Sequence, residues 1–190
     1  MADVAVNGRG APHTITALVE DKPGVLARIA GLFSRRGFNI SNLSVGHSET
    51  PGLSRMTFVV EGDDWVVEQV TKQLYKLIDV VRVTNISDES IVARELALVK
   101  VHTNATSRAE IMQIVDIFRA NIVDVTRDSV TVEITGDEEK VNALLRLLHP
   151  FGIRETMRTG RIAMTRGSAA TGARQSARVD RSAPDTEVVP

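Results

Sequence analysis

Apolar and polar residues alternate from the thirteenth position onward. Ile15, Ala17 and Val19 interleave with Thr14, Thr16 and Leu18, which predicts a strand over 13–20 buried largely on both faces. Pro23-Gly24 breaks it. The spacing then becomes helical through Val25, Leu26, Ile29, Leu32 and Phe33, with Pro23 suited to the first helical position. Arg35 and Arg36 complement the negative helix end, and Gly37 stops it. A second strand is expected over 38–46, with imperfect alternation around Ser41-Asn42. Pro51-Gly52 marks a turn, and 53–61 reads as a third strand with Met56, Phe58 and Val60 on one face. Gly62-Asp63-Asp64 opens a helix whose stripe is Val67, Val70, Leu74 and Leu77; 80–85 is a fourth strand.

The βαββαβ order repeats. A strand over 95–102 precedes Ser107-Arg-Ala-Glu110, a capping-box pattern. Ile111, Ile114, Val115 and Phe118 form the next helical face. Strands are expected over 122–126 and 129–135, a helix over 137–149 carrying Val141, Leu144, Leu145 and Leu148, and a last strand over 161–165. The fold class is therefore α+β, with two consecutive ferredoxin-like βαββαβ units. The units are placed at 13–88 and 89–166. Residues 1–12 read as a disordered leader. Residues 167–190 read as a disordered tail, too poor in large apolar side chains to offset chain entropy.

Composition narrows the function. Lys and Arg number 23 against 24 Asp and Glu, so the basic excess of a nucleic-acid binder is missing. Cysteine is absent, which removes thiolate chemistry and disulfides. No run approaches the roughly 18 apolar residues of a membrane span. The polar start lacks a secretory pattern, and a cytoplasmic location is expected. His13, His47, His102 and His149 form no metal-ligand spacing. Asp63-Asp64 and Glu138-Glu139 stand at helix starts, where carboxylates favour the positive dipole end. Arg35-Arg36-Gly37-Phe38 faintly matches an RNA-binding strand motif but straddles a helix end and lacks the following aromatics. No nucleophile stands with a base, so no catalytic residue is expected and the protein binds rather than reacts.

The informative segment is Glu20-Asp21-Lys22-Pro23-Gly24-Val25-Leu26. A strand entering a helix through Pro-Gly leaves free main-chain N–H groups at Gly24, Val25 and Leu26, and Gly24 lets a ligand approach closely. Such a start suits an anion, including an amino acid's α-carboxylate. Asp21 suits the ammonium group, and Asn39 offers a donor and an acceptor. Val25, Leu26 and Ile40 suit a short aliphatic side chain. A tight turn with a helix cap accounts for the same residues on geometry alone.

Asp-Lys-Pro-Gly-Val-Leu before an amphipathic helix resembles the ACT domain, an amino-acid sensor. Gly31-Leu-Phe-Ser-Arg-Arg-Gly-Phe-Asn-Ile40, Leu53-Ser-Arg-Met-Thr57, Gln73-Leu-Tyr-Lys-Leu77 and Glu95-Leu-Ala-Leu-Val-Lys-Val101 extend the likeness. Together with Phe118-Arg119 and Ile122-Val-Asp-Val125, they resemble the small regulatory subunit of acetolactate synthase over about residues 13–166. The resemblance implies a subunit without an active site or cofactor. It implies a large catalytic partner that uses thiamine diphosphate, Mg²⁺ and usually FAD to condense pyruvate with a second 2-keto acid. It also implies activation of that partner and feedback inhibition by valine or another branched-chain amino acid, bound between two ACT domains. The matching positions are Asp21, Gly24, Val25, Leu26 and Asn39, with Ile40 nearby; the family often has Asn where Asp21 stands.

An edge second strand seeks a partner, so a homodimer through these edges is expected. The second unit has Thr103-Asn-Ala-Thr-Ser107 in place of Pro-Gly and no evident counterpart of Asn39, so it is expected to bind no amino acid. An ACT sensor serving another enzyme or a transcription factor, and an RNA-binding module, are the competing readings.

Overall fold

The computed structural model describes residues 11–168 and residue 171. Most of the expected leader and tail lies outside these residues; Pro12 stands in the first strand, opposite Glu61. The chain divides into two compact units. Of the described residues, one takes those up to Val92 and those from Ala163, the other Ala93–Ile162.

The first unit contains β1 (Pro12–Glu20), α1 (Val25–Arg36), β2 (Ile40–His47), β3 (Leu53–Glu61), α2 (Asp64–Leu74) and β4 (Val80–Asn85). Its antiparallel sheet has the order β2-β3-β1-β4, which leaves β2 at an edge. Ile15 faces Phe58 and Ala17 faces Met56, so the alternating apolar residues of β1 and β3 fall on one surface. There they meet Val25, Ile29, Leu32 and Phe33 of α1 and Val67, Val70 and Leu74 of α2 in one core. Phe33 stacks on Phe58 at 5.5 Å between ring centroids and meets Phe38 edge-on at 6.1 Å. Thr14 and Thr16, on the other surface of β1, are also buried, as the two-sided pattern predicted. Pro23 precedes α1 rather than opening it. Gly24 takes the N-cap with φ 87°, and that left-handed residue lets the chain turn before the helix begins.

The second unit is built from β5 (Ile91–His102), α3 (Ser107–Ile117), β6 (Asn121–Val125), β7 (Ser129–Gly136), α4 (Glu138–Leu148) and β8 (Ile153–Arg158). A short β9 (Ile162–Thr165) also pairs with β5. The sheet order β6-β7-β5-β8 repeats that of the first unit. Ala97, Val99 and Val101 pack with Val130, Val132 and Ile134 beneath Ile111, Val115, Val141, Leu144 and Leu148. Both units are ferredoxin-like.

Two local expectations are corrected. The fourth strand of the second sheet is β8, which the hydrophobic pattern missed, and not the 161–165 segment. Five of the six β8 residues are exposed, so backbone pairing with β5 holds the strand and no apolar alternation marks it. The Ser107–Glu110 capping box does not form either. Thr106 is the N-cap and Ser107 already lies in the helix, while the Asn104 side-chain Oδ1 accepts the N–H groups of Thr106 and Ser107 at 2.9 and 2.8 Å. An asparagine turn thereby takes the Ser107 N–H, one of the two amides that the box would have used.

Candidate functional site

At three of the four α-helices among the described residues a side-chain oxygen accepts main-chain N–H groups at the start. Asp63 accepts the N–H of Val66 at 2.9 Å before α2, and Asp137 accepts that of Lys140 at 2.8 Å before α4. Asn104 serves α3. At α1 the N-cap is Gly24, no side chain caps the helix, and its first turn holds no acidic residue. The Val25 N–H reaches the Lys22 carbonyl only at 3.4 Å, and the Gly24 carbonyl accepts the Arg28 N–H at 2.9 Å. The start of α1 thus presents main-chain amides and their positive partial charge to the surface.

Two residues that the sequence did not single out complete this end of the helix. Arg28 lies one turn after Gly24, and helical side chains lean toward the N-terminus. Its Nη1 sits 3.3 Å from where a Cβ on Gly24 would be. Its Nε donates to Oδ2 of the nearly buried Asp79 at 2.8 Å. The i, i+4 spacing was a readable signal for Arg28; nothing local pointed to Asp79, 51 residues away.

The loop before α1 is tied down by main-chain bonds. Glu20 N–H donates to the Asp79 carbonyl at 2.9 Å, and Asp21 N–H to the Gly52 carbonyl at 2.8 Å. The Asp21 carboxylate lies 3.2 Å from His47 Nδ1. The other charges nearby pair among themselves, Lys22 with Glu20 at 2.6 Å and Arg55 with Glu49 at 2.9 Å. The Glu20 hydrogen bond and charge hold the Lys22 ammonium above its usual range. A backbone hydrogen bond and then Arg55 hold the Glu49 carboxyl below its usual range.

The remaining expected site residues are dispersed. Val25 is buried in the core, so only its main chain faces the loop. Leu26 is exposed, and Ile40 is half-buried against the core. Asn39 is exposed immediately before β2, beyond the other end of α1. Twelve helical residues separate it from Gly24, or about 18 Å at the α-helical rise. A single chain therefore does not bring Asn39 to the 21–24 loop.

The second unit does hold a counterpart of Asn39, contrary to expectation. Gly37 and Phe38 close α1 by donating to Ser34 and Phe33; Arg119 and Ala120 close α3 by donating to Asp116 and Val115. The strands that follow enter through Asn39-Ile40 and Asn121-Ile122, and each shifts register one residue later. Asn121 thus stands where Asn39 does. The sequence obscured this because Arg119, at φ 50°, fills the left-handed position that Gly37 fills in the first unit. The side-chain capped start of α3 is what separates the two units.

Comparison with known proteins bears on both units. Residues 15–82 match the model of the "AHAS small subunit-like ACT domain", and residues 94–167 match that of the "Small subunit of acetolactate synthase". The acetolactate synthase small subunit of Mycobacterium bovis is 54% identical over 160 residues, covering 84% of this chain and 95% of its own. The chain belongs to the acetolactate synthase small-subunit family.

The small subunit of Aquifex aeolicus is 51% identical over 160 residues, covering 84% of this chain and 83% of its own. The crystal structure of the Thermotoga maritima acetolactate synthase small subunit superposes with a TM-score of 0.78 at 47% identity, covering 84% of this chain and 99% of that one. As a small subunit of this synthase, the chain is regulatory, carries an ACT domain and has a catalytic large subunit as its partner. Among the described residues no His, Asp and Glu group could hold a metal ion, and no helix is long and apolar enough to cross a membrane.

Proposed function

We propose that this small subunit activates the catalytic subunit of acetolactate synthase and confers feedback inhibition by valine or a related branched-chain amino acid. The uncapped start of α1 carries this reading. The effector's carboxylate takes the amides at Gly24, Val25 and Leu26, its ammonium goes to Asp21, and Leu26 together with Ile40 of the partner subunit flanks its aliphatic side chain. In α2, α3 and α4 a protein oxygen already fills the equivalent place.

The proposed site needs two chains. Antiparallel pairing of two β2 edges about a two-fold axis sets the Ile40 end of one strand beside the His47 end of the other. That carries Asn39 of the partner subunit to the loop about 18 Å away from the chain's own Asn39, the α1 length at the helical rise. An effector held by both protomers biases their arrangement, with a coupling on the order of 1–3 kcal/mol. The catalytic partner brings thiamine diphosphate, Mg²⁺ and FAD and condenses pyruvate with a second 2-keto acid in the cytoplasm, opening branched-chain amino-acid synthesis. This subunit supplies no cofactor and binds no nucleic acid.

Reconstitution with the catalytic subunit tests the proposal: turnover is expected to rise on adding this chain, and valine to reverse most of the rise. No rate change at saturating small subunit would refute it. Asn39→Ala is expected to raise the valine inhibition constant by the equivalent of one or two hydrogen bonds, about 1–3 kcal/mol; an unchanged constant makes Asn39 only a strand residue. Asn104→Ala should cost about 1 kcal/mol of stability through the lost α3 cap, seen as a lower denaturant midpoint, with valine inhibition unaltered.

A further inference from the structure

The carboxylate assigned to the effector's ammonium is already engaged. His47 Nδ1 lies 3.2 Å from Asp21 Oδ2, and both side chains are open to solvent. We propose that His47 competes with the bound amino acid for Asp21, so that protonation of this imidazole weakens effector binding. This rests on the amino-acid site proposed above and adds a residue that gates it.

Within one chain, the surrounding charges leave that pair to itself. On the β1 side, Lys22 is held by Glu20; at the start of α1, Arg28 is held by Asp79; on the 48–52 turn and β3, Glu49 is held by Arg55. The strand residue opposite His47 is Ser54, which carries no charge. Lys22 is held above its usual range and Glu49 below its own, so neither changes charge between pH 5 and 8. Imidazole is the side chain that normally changes charge in that interval. The main-chain bond from Asp21 to Gly52 fixes the aspartate beside the end of β2, so the imidazolium and the ligand ammonium compete for one anchored carboxylate.

The sign follows. A neutral imidazole offers Asp21 at most a hydrogen bond, whereas an imidazolium holds it as an ion pair. The ligand ammonium must displace that ion pair, so lowering the pH weakens binding, whereas free valine keeps its own charges between pH 5 and 8. Exposed ion pairs are weak, so the expected loosening from pH 8 to pH 5.5 is about two- to fivefold.

Calorimetric titration of the full chain with valine at the two pH values tests this. Wild type is expected to bind about two- to fivefold more weakly at pH 5.5 and to release protons on binding at acidic pH, read from buffers of different ionisation enthalpy. His47→Gln is expected to bind equally at both pH values, near the wild-type pH 8 affinity, without that proton release. Valine binding with a flat wild-type profile, or with the same pH dependence and proton release in His47→Gln, would overturn the competition while leaving the amino-acid site standing. Absence of valine binding at either pH would overturn the site itself and the competition with it.

Discussion

Gly24→Asp is expected to abolish inhibition by valine while leaving activation of the catalytic subunit in place. The substitution sets a carboxylate at the N-cap of α1, whose start no side chain caps. A Cβ there meets Arg28 Nη1 at 3.3 Å, the far end of a flexible side chain that can yield. The new carboxylate then has the Arg28 guanidinium beside it and takes the main-chain amides proposed for the effector's own carboxylate. Bound there, it excludes the ligand by both charge and volume. The left-handed φ of 87° makes any side chain strained, at a cost of about 1 kcal/mol or more; aspartate tolerates that region better than most residues and gains from the helix dipole. Turnover of the reconstituted enzyme, measured against valine concentration, checks the outcome. Gly24→Ala is the control for strain alone and should weaken inhibition without removing it. Inhibition retained by Gly24→Asp would take the start of α1 out of the site.

Phe58→Ala is expected to destabilise the first unit by about 3–5 kcal/mol, the range for truncating a buried aromatic side chain. Phe58 is fully buried, stacks on Phe33 and sits on β3, between β1 and β2. Its loss leaves a cavity bounded by a central strand and by α1. The neighbours cannot close it readily, because β3 is paired along both edges. The edge strand β2 is held in the sheet by β3 alone, so this truncation loosens the surface proposed to join two protomers. Denaturant unfolding measures the stability loss, and sedimentation at fixed concentration should show a shift toward monomer. A loss below about 1 kcal/mol would mean that the aromatic pair is not a main element of the core.

Much of the chain was legible from local pattern. The alternation at Ile15, Ala17 and Val19 and the helical stripe of Val67, Val70 and Leu74 follow from the periods of strand and helix, and both ended in the core. Asp63 was readable as a cap because capping depends on a residue three positions away. The shape of the α1 start was legible too, since Pro-Gly imposes a turn and glycine supplies no cap. What escaped was whatever pattern does not encode. Strand β8 buries almost no side chain, so only its hydrogen bonds to β5 reveal it. Asn121 was hidden because an arginine adopts the backbone conformation that glycine marks in the first unit.

The sequence by itself determined the order of the elements up to α4, the double βαββαβ plan and the glycine-led start of α1, because each depends on residues a few positions apart. Only the tertiary structure decided that Arg28 is held by Asp79, that His47 holds Asp21, and that Asn39 lies a helix length from the loop it is proposed to serve. Those relations join residues brought together, or kept apart, by strand register and helix length, and spacing along the chain does not specify where distant side chains meet.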